Sequence, residues 1–395
     1  MAKYIALSDV HLGQNKADQI KGGQFCNLAQ IPADFPDAHR QSQQTLQALS
    51  EKVAAFAGDD RVILVVVGDL LDLSLAFVRE SLLDLIGLLK RLPSVDEMVY
   101  VIGNHDHHIW SMHSEWERSG KRLQQGDLPL TGGMYRKTPR TGERHEMLSG
   151  LCTKQVGRPI QITVAYPTYS FEHQVAGENT LFYFTHGHLF GGLYTALSDI
   201  LDDKLKEKQL DVEEVAATVN ASLIEFIYWS LSQTGDGMGA DGFMEQVYTD
   251  LQLGNESNVR GLIQNAVDLF MPEGVITGIP DRLEQWLVVA AAMHVIKDKS
   301  HRDTGSKSTD RHNNVNKTRA ALQRWIQRVG LQPALPTHFV YGHTHVADRW
   351  QVPETKILSY NLGSWLVEPP HPTPHMQLLF VNAGDDRLSV DFESL

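Results

Sequence analysis

Five polar clusters, each directly after an apolar run, constrain this 395-residue sequence more than any other feature. They are SDVHLG at 8–13, VGDLLD at 67–72, IGNHDHH at 102–108, THGHLF at 185–190 and YGHTHV at 341–346. Their aspartate, asparagine and histidine side chains are the types that coordinate divalent metal ions. One such cluster is ordinary at the end of a strand, but packing alone does not account for five. The set therefore indicates metal-binding chemistry.

The first hundred residues alternate between strand and helix patterns. Apolar runs at 2–8, 61–67 and 97–102 predict strands, and β-branched residues dominate the second of them. Apolar residues at helical spacing over 40–57 and 75–91 predict helices between them. This alternation is typical of parallel strands, whose ligands bind at the carboxyl ends. The first three polar clusters lie at such ends.

The pattern changes in the second half of the chain. Strand signals fade after residue 190, and strands return at 337–341. Between them the sequence predicts helical segments at about 193–209, 212–232, 257–270, 281–298 and 315–329. We therefore predict a catalytic domain formed by 1–190 and 336–395, interrupted by a helical insertion at 191–335. We expect the helices of the insertion either to pack against the core or a subunit partner, or to form a lid that shapes a substrate pocket. Within it, residues 301–314 are polar and aperiodic, which predicts a loop.

Composition narrows the class of protein. Cys26 and Cys152 are the two cysteines, and their separation matches no metal-ligand spacing. The chain shows no secretion-signal pattern and no apolar run of about 18 residues, which predicts a cytoplasmic protein without a transmembrane segment. The formal charge of −13 disfavours a nucleic-acid ligand, because such binders usually carry a basic surface.

The ligand types predict the chemistry of the site. Asp9 and His11 are two residues apart, so they point to the same side of a strand end. The Asp69 carboxylate has two oxygens and can bridge two ions, and Asn104 offers a neutral oxygen. Mixed nitrogen and oxygen ligands suit Mn, Fe or Zn better than Ca or Mg. Two divalent ions would leave a net charge of about +2 beside Asp9 and Asp69, which attracts phosphate and lowers the pKa of bound water.

The ordered motifs D-x-H, G-D-x-x-D, G-N-H-D, H-G and G-H-x-H resemble those of the calcineurin-like metallophosphoesterase superfamily. The resemblance implies two divalent metal ions and a catalytic histidine, His105, which Asp72 orients. It also implies a ligand set in which one ion has three residues of its own, the second has another three, and one residue bridges. These are Asp9, His11 and His345 for the first ion, Asn104, His186 and His343 for the second, and Asp69 as the bridge.

The same resemblance implies a fold and a reaction. The fold is an α+β, four-layer αββα sandwich of two mixed sheets flanked by helices. The reaction is hydrolysis of a phosphate mono- or diester by hydroxide held between the two metals. A phosphorylated small molecule, as a diester or a pyrophosphate, is the favoured substrate.

Two other functions stay open at this point. A DNA repair-type nuclease shares SDVHLG and GNHD, but it would require a basic groove in an acidic protein. A non-catalytic scaffold with this fold would usually lack a ligand or the catalytic histidine, and this sequence has the full set. The sequence also leaves a homo-oligomer possible.

Overall fold

Two mixed β-sheets, packed face to face, form the centre of the structure. The computed structural model describes residues 2–130, 135–175, 177–190, 211–225, 228–229, 308–368, 374–384 and 387–395. Within these ranges, helices cover the outer face of each sheet. The predicted α+β fold, two mixed sheets flanked by helices, is therefore confirmed.

The strands and helices are numbered in chain order. The strands are β1 (Ala2–Leu7), β2 (Phe25–Cys26), β3 (Val62–Val67), β4 (Val95–Val101), β5 (Glu143–Arg144), β6 (Gln161–Ala165), β7 (Thr168–Val175), β8 (Glu178–Thr185), β9 (Thr337–Tyr341), β10 (Asp348–Gln351), β11 (Ile357–Asn361), β12 (Leu366–Val367), β13 (Gln377–Ala383) and β14 (Leu388–Ser394). The α-helices are α1 (Ala17–Lys21), α2 (Pro36–Ala57), α3 (Val78–Arg91), α4 (His107–Glu115), α5 (Lys121–Gln124), α6 (Glu146–Val156), α7 (Val212–Val215), α8 (Ala221–Glu225) and α9 (Ser308–Arg328). Trp116–Gly120 and Ala216–Asn220 are π-helical, and His188–Phe190 is a 3₁₀ turn.

The order and direction of the strands in each sheet determine where the carboxyl ends of the parallel strands lie. The first sheet has the order β14-β13-β1-β3-β4-β6-β5, in which β1, β3, β4 and β6 are parallel. The second has the order β10-β11-β9-β8-β7, in which β8, β9 and β11 are parallel. A small antiparallel pair joins β2 to β12. The carboxyl ends of the parallel strands carry the five polar clusters.

Strand β3 shows why the apolar runs form buried strands. Its side chains alternate, because successive residues of a strand face opposite sides of a sheet. Val62, Leu64 and Val66 contact the helical layer, whereas Val65 and Val67 contact the second sheet. Both faces are covered, so a continuous apolar sequence is required, as is usual for parallel sheets.

The outer face of the second sheet is covered by chain from within the predicted insertion. Leu322 and Trp325 on α9 pack there, together with Ile224 on α8. These described parts of 191–335 therefore form a layer against the sheet. The division into a catalytic domain and an insertion stays a prediction, because most of the stretch, including the predicted helices at 193–209, 257–270 and 281–298, lies outside the described residues.

One expectation for this stretch was wrong. The polar sequence at 301–314 predicts a loop, but α9 begins at Ser308 and its second half packs on the sheet. Burial of the second half stabilises the whole helix. The weak helix formers in the first half are therefore helical as well. Residues 301–307 lie outside the described ranges. Among the described helices, none has both the length and the apolar character that a membrane span requires.

Candidate metal centre

The loops that follow β1, β3, β4, β8 and β9 meet at one edge of the two sheets. Backbone hydrogen bonds continue the parallel pairing into these loops, from Asp9 N to Gly68 O at 3.1 Å and from His11 N to Asp69 O at 2.9 Å. The two sheets are joined there as well, because His343 N donates to Asp9 Oδ2 at 2.8 Å. All five polar clusters therefore contribute to one site.

The first group of candidate ligands consists of Asp9, His11 and His345, whose ligand atoms all lie within 4.8 Å of one another. His345 Nε2 lies 3.2 Å from His11 Nε2 and 3.4 Å from Asp9 Oδ1. Two ligands held about 2.0–2.2 Å from one ion lie roughly 2.8–3.6 Å apart at octahedral or tetrahedral angles. These separations fit a shared cation.

The second group consists of Asp69, His186 and His343, again within 4.8 Å of one another. His186 Nε2 lies 3.1 Å from Asp69 Oδ2. The same Asp69 oxygen lies 3.8 Å from Nε2 of His11 in the first group. Asp69 Oδ2 thus lies between the second group, to which it belongs, and the first.

Two buried atoms of the candidate ligands test whether these residues suit a cation. Within the part of the chain that the structure describes, Asn104 Oδ1 has no hydrogen-bond partner, and His186 Nε2 makes no hydrogen bond beyond its ion pair with Asp69 Oδ2 at 3.1 Å. Leaving a buried polar atom unsatisfied costs about 1–3 kcal/mol, so native proteins rarely do it. A divalent ion would satisfy both, because an amide oxygen and an imidazole nitrogen are good ligands for the borderline metals. The donor set therefore fits the implied metals.

Three histidines are oriented so that Nε2 faces the site. Their Nδ1 atoms lie beside acceptors, at 3.0 Å from Asp72 Oδ2 for His11 and at 2.9 Å from Val67 O for His186. Nδ1 of His345 lies 2.9 Å from Glu368 Oε1. An acceptor at Nδ1 fixes the tautomer and leaves Nε2 for a metal, an arrangement typical of metal-binding histidines.

Glu368 is a residue of the site that sequence reasoning missed. It follows β12 and contacts a candidate ligand 23 positions earlier in the chain. A single glutamate in a loop carries no spacing signal, so only the folded structure reveals its position beside His345.

The backbone of the site is strained at its candidate ligands. Among the described residues, six that are not glycine have a positive φ, a conformation that costs roughly 1–3 kcal/mol and clusters at functional sites. Five of the six are candidate ligands, and Glu354 is the sixth. The five are Asp9 (φ 50°), His11 (56°), Asp69 (50°), His343 (75°) and His345 (56°).

When no metal is bound, the Asp69 carboxylate is ionised, and His186 and His345 hold protons. Burial opposes the charge on Asp69, but the nearby His186 and His105 hold the pKa of its carboxyl well below the usual range. Burial opposes protonation of His186, but Asp69 and Asp9 raise its pKa to about 9. For His345, Glu368 and Asp9 overcome burial and raise the pKa to about 10. The potential of the site thus favours positive charge, which a metal ion would supply as it displaces those protons.

Asp72 joins the candidate catalytic histidine to the first ligand group. Its Oδ1 lies 3.0 Å from Nδ1 of His105, and its Oδ2 lies 3.0 Å from Nδ1 of His11. Ser74 Oγ also contacts His105 Nδ1, at 2.7 Å, and donates to Asp72 Oδ1 at 2.8 Å. Asp72 is fully buried, and the two histidines hold the pKa of its carboxyl well below the usual range despite that burial. Both rings are therefore fixed by one carboxylate.

Gly68 gives the site room for His186. Its φ is +81°, and a Cβ built on it would lie 2.2 Å from His186 Nδ1. We predict that Gly68→Ala displaces His186, lowers metal occupancy by at least about half, and destabilises the fold by about 1–3 kcal/mol. Elemental analysis and thermal unfolding measure the two effects.

Gly157→Ala is the matched control for this substitution. Gly157 has a φ of +83° with nothing within 4 Å of its Cβ position, so the variant carries the same backbone strain without the clash. It should lose stability and keep its metal. Equal metal content in the two variants would show that His186 does not need the space beside Gly68.

Comparisons with known proteins agree with the motif pattern. A family model described as calcineurin-like phosphoesterase matches residues 2–212. No curated protein sequence matches the chain.

Solved structures share about an eighth of the aligned residues. A predicted phosphoesterase from Streptococcus pneumoniae TIGR4 aligns at 12% identity and a TM-score of 0.26, covering 100% of this chain and 91% of that one. A dimetal phosphatase from Danio rerio aligns at 12% identity and a TM-score of 0.33, covering 100% and 96%. A phosphopantetheinyl hydrolase from Mycobacterium tuberculosis aligns at 13% identity and a TM-score of 0.27, covering 94% and 98%.

Proposed function

This chain belongs to the calcineurin-like phosphoesterase family, and from that membership we propose that it is a binuclear metal-dependent hydrolase of phosphate mono- or diesters. The observation that carries the proposal is the meeting of two candidate ligand groups at a single oxygen. Asp69 Oδ2 lies 3.1 Å from a histidine nitrogen of one group and 3.8 Å from a histidine nitrogen of the other. An oxygen that lies between two groups of metal-ligating atoms suits a ligand that bridges two metal ions.

We assign the ligands by these two groups and, for Asn104, by its buried oxygen without a hydrogen-bond partner and by the family motif. Three residues would hold one cation, three would hold the other, and Asp69 would contact both. The first three are Asp9, His11 and His345, and the second three are Asn104, His186 and His343. Because nitrogen and oxygen donors are mixed and no thiolate is among them, manganese, iron and zinc are the candidate metals, and manganese is our first choice.

The protein's own residues would position the substrate and manage the proton. When bound, two divalent cations supply Lewis acidity and lower the pKa of water. His105 is anchored through Nδ1 by Asp72 and Ser74, so Nε2 is the ring atom that would meet the leaving oxygen. The carboxylate of Asp72 stabilises the imidazolium form and holds the ring in one tautomer. We therefore assign His105 to the leaving group and Asp72 to its orientation.

The favoured substrate is a small-molecule phosphodiester or pyrophosphate. The formal charge of −13 disfavours a polyanionic nucleic acid, which supports this choice over the repair-type nuclease.

A cytoplasmic location also belongs to the proposal. Cys26 and Cys152 are both buried and unpaired in the structure, and burial raises the pKa of the Cys152 thiol to about 12, so neither is a reactive thiol.

A substrate comparison tests the proposal. The full-length protein with Mn²⁺ is assayed on p-nitrophenyl phosphate, bis-p-nitrophenyl phosphate and a nucleotide sugar as a pyrophosphate. We expect kcat/KM on the diester or the pyrophosphate to exceed that on the monoester by at least about tenfold, because binding a second substituent adds transition-state contacts. Hydrolysis of none of them would favour the scaffold, and cleavage of plasmid DNA alone would favour the nuclease.

A further inference from the structure

A short segment between the fourth and fifth polar clusters reaches the candidate catalytic histidine. It comprises α8 and the two residues Tyr228 and Trp229. The segment packs against α4, the helix that begins two residues after His105. A segment that contains none of the five polar clusters therefore lies against the candidate catalytic histidine.

Glu225 attaches this segment to α4 through a buried carboxylate. It accepts hydrogen bonds from His107 Nδ1 at 2.8 Å, from Ser111 Oγ at 2.9 Å, and from His108 Nδ1. Burial opposes its charge, but the hydrogen bonds from the two histidines lower its pKa to about 2. An ionised acceptor with three donors on one helix is a strong anchor, since charge-assisted hydrogen bonds are about twice as strong as neutral ones.

Tyr228 follows Glu225 by three residues and contacts His105 directly. The two ring centroids are 5.1 Å apart, and only 6% of Tyr228 is exposed. The ring of His11 contacts the same imidazole, with centroids 4.8 Å apart. Trp229 stacks on His108 at 3.7 Å and 7°, which fixes the segment on its other side. The rings of Tyr228 and His11 thus both contact His105, and the contacts of Glu225 and Trp229 to α4 hold the segment that carries Tyr228.

We propose that Tyr228 is a positioning residue for His105. Asp72 and Ser74 anchor the imidazole at Nδ1, and the rings of His11 and Tyr228 pack against it. The ring of Tyr228 restricts the tilt of this imidazole and helps to keep Nε2 directed at the leaving oxygen, and Glu225 keeps Tyr228 in place. The inference rests on the proposed function, because it takes the role of His105 from there.

The test uses leaving groups of different quality. A p-nitrophenolate departs without help, whereas an alkoxide needs His105, so a loss of His105 alignment appears mainly with alkyl esters. With Mn²⁺-loaded full-length protein, we expect Tyr228→Leu to lower kcat about tenfold on an alkyl ester and less than about threefold on the matching p-nitrophenyl ester. KM and metal content should not change. Tyr228→Phe keeps the ring and should restore both rates.

Further variants separate positioning from general stability. Glu225→Gln should repeat the alkyl-selective loss, because an amide cannot accept from all three donors. Glu214→Gln, in the same stretch and outside the contacts to α4, is the matched control and should behave as wild type. In a His105→Ala background, Tyr228→Leu should add no further loss beyond about twofold, since residues that act through one another are not additive.

Several outcomes would overturn the inference. Equal losses on both esters would indicate a structural role, and a full additional loss in the His105→Ala background would indicate an action independent of His105. Wild-type rates for Tyr228→Leu on both esters would refute the inference and leave the proposed function intact. A wild-type protein that hydrolyses neither ester would remove the proposed function and the inference together.

Discussion

Asp69→Asn is expected to lower bound manganese from about two ions per chain to less than one, and to reduce kcat/KM by at least about 10³-fold. The effect should be larger than that of any other single ligand substitution, because we assign Asp69 as the ligand that contacts both cations. Its Oδ2 lies 3.1 Å from His186 Nε2 and 3.8 Å from His11 Nε2.

Asparagine is a severe change here although its shape is the same. Asp69 Oδ1 accepts a hydrogen bond from His105 N at 2.9 Å, so the amide oxygen of asparagine would occupy that position. The amide nitrogen would then lie where Oδ2 lies, beside the lone pair of His186 Nε2. A hydrogen-bond donor there would engage the His186 nitrogen that binds a metal. The negative charge between the cations would also be absent, so the occupancy of both metal sites should fall.

The matched control is Asp348→Asn. Asp348 is a partly buried carboxylate paired with Arg319 on α9, at 2.7 Å from Nη2, and it belongs to neither ligand group. Its replacement should lower stability by no more than about 1 kcal/mol and leave the metal content unchanged. If Asp69→Asn lost one ion and kept the other at full occupancy by elemental analysis, the bridging assignment would be wrong.

His105→Ala is expected to retain both metals and to lose about 10²–10⁴-fold in kcat on alkyl phosphoesters. His105 is bonded to Asp72 and Ser74 and belongs to neither ligand group around Asp69, so its removal should leave the ligands in place. On p-nitrophenyl esters the loss should be much smaller, because that leaving group needs no proton. Steady-state kinetics on a matched pair of esters measures the difference.

The control for this variant is His173→Ala, which removes a histidine from β7. His173 Nε2 lies 3.1 Å from Gly384 O, away from the five clusters, so the variant should keep wild-type rates on both esters. Full alkyl-ester turnover by His105→Ala would exclude a role for His105 at the leaving oxygen.

The strands of this fold were predictable because their signal is local. A run such as that of β3 is buried on both faces, so each of its residues must be apolar and the pattern is visible without the partner strands. The polar residues at the strand ends were predictable for the same reason. Asp9 and His11 need only their own spacing to face one side, and the structure brings them within reach of His345, far along the chain.

The residues that support the site were not predictable in the same way. Glu368 and Glu225 act through contacts to histidines 23 and more than 100 positions away, and neither belongs to a motif. The start of α9 was also missed, because packing of Leu322 and Trp325 on the second sheet outweighs the weak helix propensity before them. In each case the deciding interaction is tertiary, and the local sequence does not contain it.

Stoichiometric reconstitution tests the binuclear centre most directly. Chelator-stripped full-length protein is titrated with Mn²⁺ while hydrolysis of bis-p-nitrophenyl phosphate is followed. We predict that the stripped protein is inactive and that activity becomes maximal only when about two equivalents of Mn²⁺ are bound. Activity that survives chelation, or that reaches its maximum at a single equivalent, would contradict a phosphoesterase in which Asp69 joins two metal ions.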